Sequence, residues 1–303
     1  MEQLLEQVGG EGEFRKEILW SLHKPGASFH PRTVLPRSSP VFLLALGLSG
    51  RCEHVVPAGL AVELFLAACD LLDSLEDEEV VFGVSEAQAL NRATALLLLS
   101  HISMDGLWKS NEPAKARLAT QALEIAAIRA CQGQSLDLAF ESREAVTEGE
   151  YLQMIELKSA APFSAACWVG ALLSTTDEQK VRPAAQYGKW LGMAVQLRND
   201  ALAIASGVSR SDIRRRKKTL PIIYALGKAE GKEGAFLSQA YTVARGLAPE
   251  EELRIRDIVL GCGGVHYAMV FAQVYRQRAI EQIDGTGVAA DIASKLREMV
   301  KFF

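Results

Sequence analysis

Phe65-Leu66-Ala67-Ala68-Cys69-Asp70-Leu71-Leu72-Asp73-Ser74-Leu75-Glu76-Asp77 is the stretch on which the fold turns. Neither proline nor glycine interrupts it, so it reads as a largely buried helix. On a helix, Asp73 and Asp77 stand at i and i+4, which puts both carboxylates on one face, able to grip hard divalent cations through oxygen. Asp70 extends that face by one turn. A solvated acidic face is the ordinary alternative, but residues 65–73 leave little room for an exposed side.

The same helical signature runs from end to end: long Ala, Leu, Glu, Lys and Arg stretches, with few alternating β-branched runs. It predicts an all-α protein in a single domain, with helices over 3–22, 40–49, 55–79, 85–108, 112–140, 148–173, 177–206, 219–229, 233–246, 250–261, 264–284 and 288–302. Thr147 with Glu150, Ser85 with Gln88, and Thr176 with Gln179 each fit a capping box. Lys24 to Pro40 holds four prolines and reads as extended chain, and Ser206 to Lys218 as a polar loop. There is no internal repeat and no Gly/Ser linker.

With 303 residues, 49% of them hydrophobic, the chain can bury a large core without disulfide or structural metal. A net charge of −4 without long basic stretches gives no support for a nucleic-acid partner. The five cysteines show no Cys-x-x-Cys spacing and no pairing with the five histidines, which argues against zinc and for reduced thiols in a cytoplasm. Met1-Glu2-Gln3-Leu4-Leu5-Glu6 lacks the basic-then-apolar order of a signal peptide. The longest apolar runs, near Ala93–Leu99 and Ala165–Leu173, fall short of the roughly 20 residues of a membrane-spanning helix.

Further candidates follow in order. Gly133-Gln134-Ser135-Leu136-Asp137 precedes Tyr151-Leu152-Gln153-Met154-Ile155-Glu156-Leu157-Lys158-Ser159, then Gln196-Leu197-Arg198-Asn199-Asp200, then Ser211-Asp212-Ile213 and Lys217-Lys218-Thr219-Leu220-Pro221. Lys158 lies in an apolar run, where a lysine either snorkels or meets an anionic ligand. Asn199-Asp200 is either a polar pair on a helix or a pair of oxygen ligands. Arg214 to Lys218 is either a solvated loop or an anion contact. Gly261-Cys262-Gly263-Gly264 reads as a helix break rather than a phosphate cradle.

In joint order and spacing, these motifs resemble the trans-isoprenyl diphosphate synthases, the polyprenyl synthetase family, over roughly residues 40–285. The resemblance implies the isoprenoid synthase helical bundle, a homodimer, and Mg2+ held against an allylic prenyl diphosphate of the geranyl or farnesyl class. Asp73-Ser74-Leu75-Glu76-Asp77 resembles the first aspartate-rich motif, with Ser74 in place of its second acid. Asn199-Asp200-Ala201-Leu202-Ala203 resembles the second, with only Asp200 keeping a carboxylate. It implies magnesium ligands at Asp73, Asp77, Asn199 and Asp200, to which the helical spacing adds Asp70, and catalytic roles for Asp73, Asp77, Lys158, Gln196 and Asp200. Substrate contacts are expected at Arg37, Gln134, Asp137, Lys158 and Lys217. Ala68 and Cys69, five and four residues before Asp73, are expected to face the prenyl tail, with Met104 and Trp108 on a facing wall.

The family's acceptor site for isopentenyl diphosphate is altered. Pro36-Arg37-Ser38-Ser39-Pro40 keeps only Arg37 of its basic stretch, Leu66 replaces its histidine, and Asp77-Glu78-Glu79-Val80 is acidic where arginines should follow. Burying a second diphosphate without cations is strongly unfavourable. Pheromone-modifying prenyltransferases of the ComQ type share this character, which implies a peptide acceptor. Ordinary chain elongation, a terpene-synthase-like cyclase and a silent partner subunit stand as alternatives.

Overall fold

The computed structural model describes residues 1–7, 12–23, 35–78, 84–206, 211–242 and 245–302, and among them there is no strand. The helices are α1 (Glu2–Gln7), α2 (Gly12–His23), α3 (Ser39–Ser49), α4 (Val56–Glu76), α5 (Glu86–Met104), α6 (Pro113–Ser142), α7 (Glu148–Ile155), α8 (Ala161–Leu172), α9 (Glu178–Ser206), α10 (Ser211–Arg214), α11 (Leu220–Lys228), α12 (Gly231–Thr242), α13 (Pro249–Gly261), α14 (Gly264–Thr286) and α15 (Ala290–Phe302). The expected acidic stretch at Glu79-Val80 and most of the segment from Lys24 lie outside the described residues.

Two compact units emerge: 1–127 with 162–188 and 280–303, and 128–161 with 189–279. The chain crosses between them at four points, so neither is a contiguous length of sequence. In the first unit α4 packs along α5, burying Leu64, Ala67, Ala68, Leu71, Ala93, Leu96 and Leu99 together with Leu5, Ile18 and Leu22 of the first two helices. A second cluster joins Val41, Ala61, Val62, Met104, Ala119 and Ala166. The second unit has its own cores, one around Tyr151, Met154, Leu197, Leu220 and Ala272, the other around Ile204, Ile222, Leu237 and Ile255.

Local chemistry explains most helix boundaries. Ser85 and Thr147 close full capping boxes with Gln88 and Glu150, as their sequence predicts. The third start is shifted: Asp177, not Thr176, accepts from the Gln179 N–H at 3.0 Å, so α9 begins at Glu178. Gly261 to Gly264 is a break, with Gly263 at φ 80° and a 57° bend between α13 and α14. Glu53–Glu76, the long helix with its opening 3-10 turn, is long and apolar enough by length and composition to cross a membrane, which the sequence reading missed. Its Ala61, Leu64, Ala68 and Leu71 are fully buried in the protein, as befits a core helix.

The single helix expected over 148–173 is interrupted. Glu156–Ala160 forms a π-helical turn between α7 and α8. Neighbouring helices leave room for it: a Cβ at Gly133 would strike the Lys158 backbone, and one at Gly192 would lie 2.6 Å from the Ala160 Cα. Only glycine at both positions admits the widened turn.

Candidate active site

In the first unit, the acids stand at the end of α4. Asp73 lies in its last turn and Asp77 is its C-cap, both half-buried, and no basic residue occupies that turn. The C-terminus of a helix carries the negative end of its dipole, so two aspartates and Glu76 there are placed against the local field. Asp70, expected as a third ligand on this face, is instead paired with Arg37 at 3.0 Å. Arg37, expected to touch substrate, thereby has a carboxylate partner within its own unit. Ala68, expected on the pocket wall, is fully buried in the α4–α5 core, while Cys69 beside it is half-buried. Met104 is likewise buried, in one cluster with Ala61 and Val62 of α4, and Trp108 is 47% exposed.

In the second unit, the π-turn delivers Lys158 to Asp137, Nζ to Oδ2 at 2.9 Å. Lys217 approaches the same carboxylate oxygen at 4.0 Å and Asp212 at 3.7 Å. Asp137 thus brings two ammonium groups to one carboxylate oxygen. Gln134 is half-buried on α6, one residue after the Gly133 that admits the π-turn.

Asp200 is buried on α9 and accepts from the Tyr151 hydroxyl at 2.6 Å and from Gln196 Nε2 at 2.7 Å. The Gln196 oxygen in turn accepts from Ser159 at 2.5 Å. Gln196 therefore links the π-turn to Asp200. Burial, then the neighbouring Asp212, pushes the Asp200 carboxyl up to about 7, against the pull of its two hydrogen bonds. Asn199 is exposed. Among the described residues no group of three or more acids, histidines or cysteines is preassembled for a metal.

The run Arg214–Lys218 is not a solvated loop. Arg215 forms a two-bond fork with Glu141, both at 3.0 Å, and Arg214 meets the buried Glu252 at 2.9 Å. Arg216 sits at φ 57°, its guanidinium donating to the carbonyls of Ala240 and Arg245. Lys218 donates to the Glu141 carbonyl at 2.7 Å. These bonds fix the loop that places Lys217. Tyr151 and Ser159 went unassigned in the sequence because their partners lie 49 and 37 residues away, whereas Asp212 meets the nearby Lys217. A groove of about 510 Å3 elsewhere in this unit, lined by Leu152, Glu156, Trp190, Met193, Tyr275 and Arg278, holds none of the candidate residues.

The polyprenyl synthetase profile matches residues 47–256, more than half the chain. The chain belongs to the polyprenyl synthetase family. It is 30% identical over 305 residues to a geranylgeranyl pyrophosphate synthase of Geoglobus acetivorans, covering 94% of this chain and 88% of that one. It is 27% identical over 268 residues to the geranylgeranyl diphosphate synthase of Methanosarcina mazei, with coverage of 82% and 78%. A polyprenyl synthetase of Streptomyces coelicolor A3(2) superposes with a TM-score of 0.81 at 25% identity, over 99% of this chain and 94% of that one. The family's all-α architecture is the one observed, and by class the chain is a transferase of prenyl groups.

Proposed function

We propose that this protein ionises an allylic prenyl diphosphate of the geranyl or farnesyl class, with magnesium, and passes the prenyl group to an acceptor. The observation that carries the reading is the convergence of Lys158 and Lys217, from separate elements, on Asp137. When the allylic C–O bond breaks, its electron pair leaves with the diphosphate, and fixed ammonium groups stabilise that growing charge in the transition state. Gln134 offers a neutral dipole for the allylic cation, and Asp137, Gln196 and Tyr151 hold the surrounding groups in register.

The donor chemistry at the end of α4 fits magnesium, a hard cation bound by one or two carboxylates plus substrate phosphates rather than by an all-protein cage. Asp73 and Asp77 would hold it, with Asp200 and Asn199 as the second set, and it would supply charge neutralisation to the leaving diphosphate. Purified protein should release diphosphate from farnesyl diphosphate only when magnesium is present. No release at any magnesium concentration would favour a silent partner subunit.

The acceptor side is read as altered, because Leu66 and Ser39 stand where cations bind a second diphosphate in the resembled family. A peptide side chain is the acceptor that the ComQ-type comparison suggests. Chain elongation is the second reading, favoured by relatives that bear the names geranylgeranyl and farnesyl diphosphate synthase. Labelled isopentenyl diphosphate separates the two: efficient elongation would restore the ordinary synthase. We also infer a homodimer in the cytoplasm, since exposed Leu90 and Leu98 on α5 and Leu118 and Ile125 on α6 give a second copy an apolar face; light scattering at the monomer mass would exclude it.

A further inference from the structure

We infer that the groove beside the π-turn is an effector site for a long-chain monocarboxylate, an apolar tail with one anionic head; the effector role, though not the binding, rests on the prenyl-transfer reading above. The groove lies wholly within the second unit, and its volume of about 510 Å3 falls in the range of roughly 300–1,000 Å3 that small-molecule sites occupy. Its body is apolar. Leu152 of α7, Leu157 of the π-turn and Met193 of α9 line it beside Trp190 and Tyr275, whose rings stack with centroids 5.6 Å apart.

The charges of the groove select the head group. The Arg278 guanidinium lies over both rings, 5.3 Å from the Trp190 centroid and 5.1 Å from that of Tyr275, and has no carboxylate partner among the described residues. Lys189 also stands over Trp190, at 4.9 Å, but its ammonium is bonded to Glu156 at 2.6 Å, so the acid of the lining is already neutralised. One uncommitted guanidinium is left beside an apolar wall. Its planar fork matches a single carboxylate through two parallel hydrogen bonds. A diphosphate, with about three negative charges near neutral pH, would need cations that the lining does not hold.

The groove also shares its wall with the candidate active site. Glu156 and Leu157 line it, and Lys158, the next residue of the same π-turn, reaches Asp137 at 2.9 Å. A π-turn is a rare conformation that its surroundings must hold. A tail packed on Leu157 adds to the contacts that hold it. A filled groove should therefore favour the placement of Lys158 and tighten binding of the donor diphosphate, and by linkage the donor should tighten binding of the acid.

The test is calorimetric, with laurate as the probe at concentrations below micelle formation. Wild type should bind laurate saturably, and dodecanol, which lacks the charge, about tenfold or more weakly. Arg278→Gln, at an exposed position, should weaken laurate by the same factor, and Leu152→Trp, which fills the groove from a half-buried position, should abolish its binding. No binding by wild type, equal binding of dodecanol, tighter binding of dodecyl phosphate, or unchanged binding in either variant overturns the site. Saturating laurate should then tighten farnesyl thiodiphosphate, with magnesium present, by about fivefold in wild type and not in Arg278→Gln. An unchanged or weakened affinity overturns the effector role. Failure of the thiodiphosphate to bind at all would overturn the prenyl-transfer reading instead, and the laurate result would stand on its own.

Discussion

The end of α4 and the lysine cluster of the second unit treat charge in opposite ways. On α4, Asp73 and Asp77 are half-buried, set against the helix dipole, with no basic residue in their turn. Around Asp137, the buried Lys217 and the nearly buried Lys158 are each matched to a carboxylate, and the loop that carries Lys217 is tied down by Arg215, Arg216 and Lys218. The difference is local to each unit: the lysines of the second are ordered by the carboxylates around them, whereas the acids of α4 are oxygen donors of the kind that suits a hard cation completed by a ligand's own oxygens.

Removing an acid of α4 should cost most. Asp73→Ala should lower kcat by about a thousandfold or more while helical content by circular dichroism stays constant, since a partner for transition-state charge is lost; near-normal turnover would remove α4 from the chemistry. In the second unit, Lys217→Ala should cost about a hundredfold in kcat. Gly133→Ala should act through geometry: the added methyl meets the Lys158 backbone, so kcat should fall about tenfold and stability by about 1–3 kcal/mol, as overpacking does. An unperturbed Gly133→Ala enzyme would show that the π-turn does not position Lys158.

That contrast also explains what the sequence disclosed. The acid pair was legible because i to i+4 spacing is a local property of a helix, and the all-α fold because periodicity and caps are local too. The π-turn was not, because Glu156-Leu157-Lys158-Ser159-Ala160 holds no helix breaker and the room for it is left by Gly133 and Gly192 on other helices. Asp70 read as a metal ligand by spacing alone, since nothing in a sequence shows that Arg37, 33 residues away, meets it. Ala68 read as a wall residue by offset from Asp73, yet the α4–α5 contact claims its face. Cys69 retains the half-buried position, so Cys69→Phe is the variant that should shift kcat/KM from farnesyl toward geranyl diphosphate, by about tenfold.

The smallest effect concerns a single tie in the second unit. Burial, then the nearby Arg216, lowers the Lys218 ammonium from 10.5 to about 8. Between those values the unfolded chain binds a proton that the folded one lacks, so this group's contribution to stability rises as pH rises through that window. Relative to Lys218→Met, wild type should therefore gain on the order of 1–3 kcal/mol between the two ends, read from urea midpoints. A parallel pH profile in both proteins would mean that Lys218 stays charged in its site.

The central contrast is tested most directly by titrating magnesium into the protein with and without farnesyl thiodiphosphate, an unreactive donor. The account predicts weak magnesium binding to the protein alone and tight binding in the presence of the thiodiphosphate, with the second lost in Asp73→Ala. Equally tight binding without the thiodiphosphate would contradict it, because the acids of α4 would then form a complete metal site by themselves.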